Sequence, residues 1–220
     1  MAKKKRYVPS AKHFKAQGGS LEHRHASKVL KSSLAITKVT ISDDVTLYTA
    51  PEDIEEEFHD INHKFIQHPE WYIERLECLL AAHPEFPPLW NHLSIAYMAQ
   101  GNQEKCFFCI EEGYRQHPDY LFARVAYANI CMNRNEVEKV PDIFDGCFDL
   151  ARLYPERDVF HTTEAVAFYH CIGCYLCAMG DMQAAYICCD MLQKIAPESP
   201  HTLQLGVKLA PHFPLAVTNL

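Results

Sequence analysis

The sequence predicts an all-α protein, its body built from recurring helical units behind an irregular basic arm. Three observations carry this. From Pro51 onward apolar residues fall at helical spacing and glycine is sparse. The pairs His68-Pro69, His83-Pro84, His117-Pro118, Tyr154-Pro155 and Ala196-Pro197 punctuate that pattern. Proline lacks an amide hydrogen and suits a helix's first turn, so each pair marks a junction. Finally, landmarks recur: Pro84 and Pro118 lie 34 residues apart, as do Gly101 and Asn135.

Residues 1–50 form the arm. It opens with "KKKR", contains Gly18-Gly19 and few large apolar residues, and reads as mostly disordered. Its last stretch, Leu34–Tyr48, is richer in β-branched residues with Asp43-Asp44 at a turn, which fits a weak hairpin or an extended strap. Residues 51–210 form the helical body and 211–220 a tail. Charge divides the same way. Residues 1–40 hold ten Lys/Arg and one acid, a net of +9, and the remainder is −16.

Within the body, Trp90, Leu93, Ser94 and Tyr97 open one unit. Gly101 marks its turn, Cys106, Ile110 and Gly113 its second helix, and Pro118 its end. Tyr169, Ile172, Gly173 and Leu176 open another, with Gly180 at the turn, then Ala185, Cys189, Leu192 and Pro197. Tyr127, Ala128, Cys131, Asn135, Val140, Phe144 and Cys147 form a degenerate unit between them. This middle unit has Arg124 at the opening aromatic place, a second helix expected to run on to Leu153, and an insertion over 149–161. Upstream, Phe58, Ile61, Asn62 and Phe65 precede Tyr72, Leu76, Leu79 and Pro84; downstream, Pro200, Leu203 and Val207 begin an unpaired final helix. The pattern resembles the tetratricopeptide repeat (TPR) family over about residues 52–210. That resemblance implies a right-handed superhelical solenoid of antiparallel helix pairs, stacked so that neighbours bury each other's apolar stripes. It also implies a scaffold that binds a protein or peptide in its concave groove.

The stretch "HCIGCYLCAMGD", His170 to Asp181, poses the question of metal chemistry. On a helix, Tyr169, Ile172, Gly173 and Leu176 share the core side, while His170, Cys174 and Cys177 cluster opposite within about a 60° arc. His170 and Cys177 stand about 10 Å apart along the axis, too far to close one zinc tetrahedron from a straight helix. No second CxxC with ribbon spacing completes a site, and "CFFC" at Cys106–Cys109 is itself helical. The preferred reading is small apolar or groove-lining thiols without metal or cofactor. The alternative is a cysteine/histidine-based metal-binding or redox-responsive protein. For enzymatic function there is no GxSxG, P-loop, GxGxxG or HExxH, and no Cys–His pair stands out, so no catalytic residue is expected.

The family geometry assigns groove positions to Asn91, Ile95 and Met98, then Val125, Asn129 and Met132, then His170, Cys174 and Cys177. Such a face is soft and mainly apolar, and its amides can bond an extended peptide's backbone. The family's clamp for chaperone C-termini uses basic side chains at several of these places; only Asn129 matches it. The basic arm could attract nucleic acid or an anionic surface, but it brings no stacking platform or groove-reading helix. No apolar run approaches a transmembrane span, and no secretory signal precedes the ten cysteines. Free thiols in a cytoplasmic protein are the expectation.

Overall fold

The computed structural model describes residues 39–212. The arm up to residue 38, expected to be disordered, and the tail from 213 lie outside the described residues. Among the described residues the chain is mostly helical, with ten α-helices and two short strands. No helix there is long and apolar enough to cross a membrane.

Strand β1 (Thr40–Ser42) leads through an irregular stretch into α1 (Glu55–Phe65). A 3₁₀ turn, Pro69–Tyr72, then enters α2 (Ile73–Ala82). Helix α3 (Pro87–Gln100) begins with two prolines and stops at Gly101, whose φ of +81° is a left-handed conformation that favours glycine. The amide of Asn102 closes that end on the Tyr97 carbonyl, and its side chain then accepts from the Lys105 amide to cap α4 (Gln103–Gln116). Helices α3 and α4 pack closely on one another. Gly113 permits this approach: a Cβ there would stand 3.0 Å from the Trp90 Cβ.

Helix α5 (Leu121–Asn133) packs on α4 and on the long α8 (Thr162–Ala178). Between α5 and α8 the chain departs from the expected second helix reaching Leu153. A 3₁₀ turn, Val137–Lys139, leads into a single turn, α6 (Val140–Ile143), and another single turn follows as α7 (Leu150–Leu153). The cause is local. Asp145 and Gly146 take φ of 52° and 68°, and the Gly146 amide bonds back to the Pro141 carbonyl, terminating α6.

Strand β2 (Val159–His161) follows α7 and pairs in parallel with β1, Ile41 opposite Phe160. The insertion therefore receives the strand, and among the described residues the stretch read as a hairpin or strap does not pair with itself. A turn does occupy Asp43-Asp44, where the Asp44 amide donates to the Ser42 hydroxyl at 3.1 Å. Helix α8 is started by a reciprocal cap: the His161 side chain accepts from the Thr163 amide, and Glu164 accepts from the His161 amide. It packs on α9 (Met182–Ile195) and α10 (Pro200–Leu209). Asp181 and Ser199 cap these last two helices.

Buried apolar side chains gather in two clusters. One joins α1–α4 through residues such as Phe58, Leu76, Leu89, Leu93 and Cys106. The other joins α5–α10 through Leu121, Phe144, Phe160, Phe168, Ile172, Leu192 and Leu205. Each buried Leu, Ile or Phe side chain contributes about 1.5–3 kcal/mol by leaving water. The clusters meet at α4 and α5, where Tyr114 stacks on Tyr127 with ring centroids 4.6 Å apart.

Candidate functional site

Helices α3 and α5 pack against each other. On α3, Ile95 and Met98 are 43% and 52% exposed, large values for apolar side chains in a packed helix. Asn91 is half-buried beside them and lines the α3–α4–α5 junction, where the remaining space is only about 10 Å³. On α5, Asn129 and Met132 are half-buried, whereas Val125 is 7% exposed and belongs to the core. Val125 is therefore not presented to solvent. The reason is that Val125 also meets the α5–α8 packing, its carbonyl lying near the Cys171 thiol.

His170, Cys174 and Cys177 do lie together on α8, all half-buried, but under α10. The His170 ring lies 4.6 Å from the His201 ring, and its Nε2 is 3.6 Å from the Cys174 Sγ. Lys208 of α10 places its Nζ 3.5 Å from the same sulfur. Burial, with the neighbouring His201 second, lowers the His170 pKa to about 4, so its imidazole is neutral at pH 7. The surrounding thiols are held protonated by burial: Cys171 and Cys177 are pushed up, and Cys188 rises to about 12. Among the described residues, no three His, Cys, Asp or Glu side chains converge as a metal-ligand set. "CFFC" has the same thiol character, since burial pushes Cys106 up and Cys109 to about 12.

A second apolar feature went unread in the sequence. On the other side of α3, a cleft of about 430 Å³ opens between α2 and α4, lined by Leu80, Ala81, Leu93 and Phe108. Phe108 is 59% exposed. Tyr97 closes the polar end of the cleft: its hydroxyl donates to Glu77 and receives Lys105 Nζ at 3.0 Å. The signal was the doubled Phe107-Phe108, since adjacent helical residues point about 100° apart and the packed helix buries one of them more than the other.

The structure also explains Arg124, which the repeat pattern sets where an opening aromatic is expected. It is 6% exposed and donates to the carbonyls of Pro118 and Ile143 at 2.6 and 2.9 Å. It also reaches Asp119 at 3.0 Å and Asp145 at 2.7 Å. Arg124 thus caps the abrupt end of α6, a positioning task that no aromatic side chain could perform. A scan of the chain against protein-family models finds no match, and a search of curated proteins finds none.

Proposed function

We propose that the chain is a non-enzymatic interaction scaffold whose helix pairs stack as a TPR-like right-handed solenoid and bind a protein or peptide across α3 and α5. The observation that carries this reading is the pairing of exposed Ile95 and Met98 with Asn91, on a helix touching the one that bears Asn129 and Met132. Apolar side chains left open beside backbone-pairing amides suit an extended peptide better than a small polar metabolite. The positive-φ turn at Gly101, its counterpart at Gly180 (φ +77°) and the left-handed Asn135 (φ +59°) support the repeat reading, because each lies where the pattern places a turn between helices. Ten free thiols suit a reducing, cytoplasmic setting.

The partner contact then comprises Asn91, Ile95, Met98, Asn129 and Met132. At the far end α10 lies over His170, Cys174 and Cys177, so a partner approaching there meets α10 first. The test is direct binding. A photo-crosslinking residue at Met98 should capture a partner that the same residue at the distant, exposed Val207 does not. Asn129→Ala should then weaken that partner by about 1–2 kcal/mol at unchanged stability. Unchanged affinity in an Asn129→Ala, Met132→Ala double variant would remove this surface from recognition.

A further inference from the structure

Ten cysteines are free, and the structure sets one of them apart. Cys106, Cys109, Cys131, Cys171, Cys188 and Cys189 are buried, and Cys78 is exposed. Cys174 is half-buried at the α8–α10 seam with a neutral imidazole 3.6 Å and an ammonium 3.5 Å from its sulfur. These neighbours come from two helices: His170 is one turn before Cys174 on α8, and Lys208 reaches across from α10. Cys171 and Cys177 on α8, Cys188 and Cys189 on α9 and His201 on α10 are the other titratable groups around it.

We infer that Cys174 is a covalent modification site for small soft carbon electrophiles of the α,β-unsaturated carbonyl class, with Lys208 stabilising the reacting thiolate and His170 orienting the thiol. His170, which also hydrogen-bonds Gln204, is neutral, and its Nε2, 3.6 Å from the sulfur, can accept from the Sγ–H. The Lys208 Nζ, 3.5 Å from the sulfur, faces the negative charge that the sulfur carries as it reacts. The Sγ proton leaves to solvent. The thiolate then forms a bond to the electrophile's β-carbon, the carbon–carbon π bond breaks, and the α-carbon takes a proton from water. No oxidant or reductant is needed. Cys177 also feels Lys208, but burial outweighs it and pushes that thiol up, as burial does for Cys171 and Cys188. This inference stands independently of the α3–α5 surface.

N-ethylmaleimide is the probe, applied as a short pulse to the full-length native chain at pH 7, with adducts assigned by peptide mass spectrometry. Accessibility alone places the exposed Cys78 first. The inference places Cys174 ahead of Cys78 by about tenfold, the scale on which a neighbouring cation alters thiol reactivity. Lys208→Met should bring Cys174 down to the Cys78 rate or below, and Lys208→Arg should preserve its advantage. Cys177, on the same seam, reports opening of α10. If Lys208→Met speeds Cys174 and Cys177 together, exposure governs the seam and the inference fails. It fails equally if Cys78 reacts first in the native chain, or if Lys208→Met leaves Cys174 unchanged.

Discussion

The two apolar clusters solve the same packing problem by different means. In α1–α4 the buried polar residues are His92 and Ser94, both uncharged. His92 Nδ1 lies 2.8 Å from the Pro88 carbonyl oxygen and its Nε2 lies 3.0 Å from Asn62 Oδ1. Phe58, Phe86 and Tyr48 meet edge to face around it. In α5–α10 the buried set includes Arg124, Asp149 and Glu164. Glu164 takes a two-pronged contact from Arg157, 3.0 and 2.7 Å, while the Arg157 guanidinium lies 4.3 Å from the Phe160 ring. Where regular helices meet, shape and apolar area hold them. Where the second helix of a pair is cut short, charged hydrogen bonds to otherwise unmatched carbonyls and amides fix the detour.

The comparison is broken most sharply at Arg124. Arg124→Met keeps volume but strands the Ile143 and Pro118 carbonyls, and should cost about 3 kcal/mol by chemical denaturation. Hydrogen exchange should rise at α6 and α7 while α3 and α4 stay protected; uniform loss would show that the polar hub does not act locally. Close helix approach offers a finer contrast. Gly173→Ala drives a methyl into fully buried Leu205 and to 3.3 Å from the Cys188 Cβ, whereas Gly113→Ala meets half-buried Trp90. The first should destabilise by about 2 kcal/mol and the second by about 1 kcal/mol, overpacking being costlier where neighbours cannot yield. Equal thermal shifts would show that the two seams are equally plastic.

Acid acts on both clusters. Burial lowers the pKa of His92 and of His170, so the unfolded chain binds more protons below the ordinary histidine value near 6.5. The stability these neutral rings allow is present above that value and is lost as pH falls from about 6.5 toward the folded value of about 4 for His170. Between pH 7 and 5 the His170 share should be about 1 kcal/mol, reduced because the ring is partly in water. His170→Gln should flatten the pH dependence by that amount, and an unchanged slope would assign it elsewhere. The smallest effect is expected on α10. It buries Thr202, Leu205 and Leu209 and turns Leu203 and Val207 outward. Val207→Gln should therefore change stability by less than about 0.5 kcal/mol.

Those outward residues show what sequence reasoning reaches. Proline junctions, the Gly101 turn and the stripe of Leu93, Ser94 and Tyr97 were legible because local chemistry dictates them. On α10, Leu203 and Val207 were equally good apolar markers, and only the position of α8 decides that the other side is buried. The break after Ile143 did have local signals, Pro141 and the turn-forming Asp145-Gly146. The repeat spacing masked them. The partner of β1 had none, since strand pairing is chosen by distant chain. The grouping of His170, Cys174 and Cys177 could be read from helical periodicity, but the approach of Lys208, 34 residues beyond Cys174, could not.

The pairing of β1 with β2 has a further consequence for how the chain comes apart. A stack of helix pairs bound only to neighbours can fray inward from either end, one unit at a time. Here Thr40 and Val159 close a loop of about 120 residues around α1–α7, a closure whose entropic cost grows only slowly with length. Pulling on the N-terminal side therefore loads the Ile41–Phe160 register before it can peel α1. Phe160, fully buried, transmits that load into the second cluster. The strand pair acts as a clasp that favours joint unfolding of the two clusters, and its long-range registration is expected to be among the later events when the chain refolds.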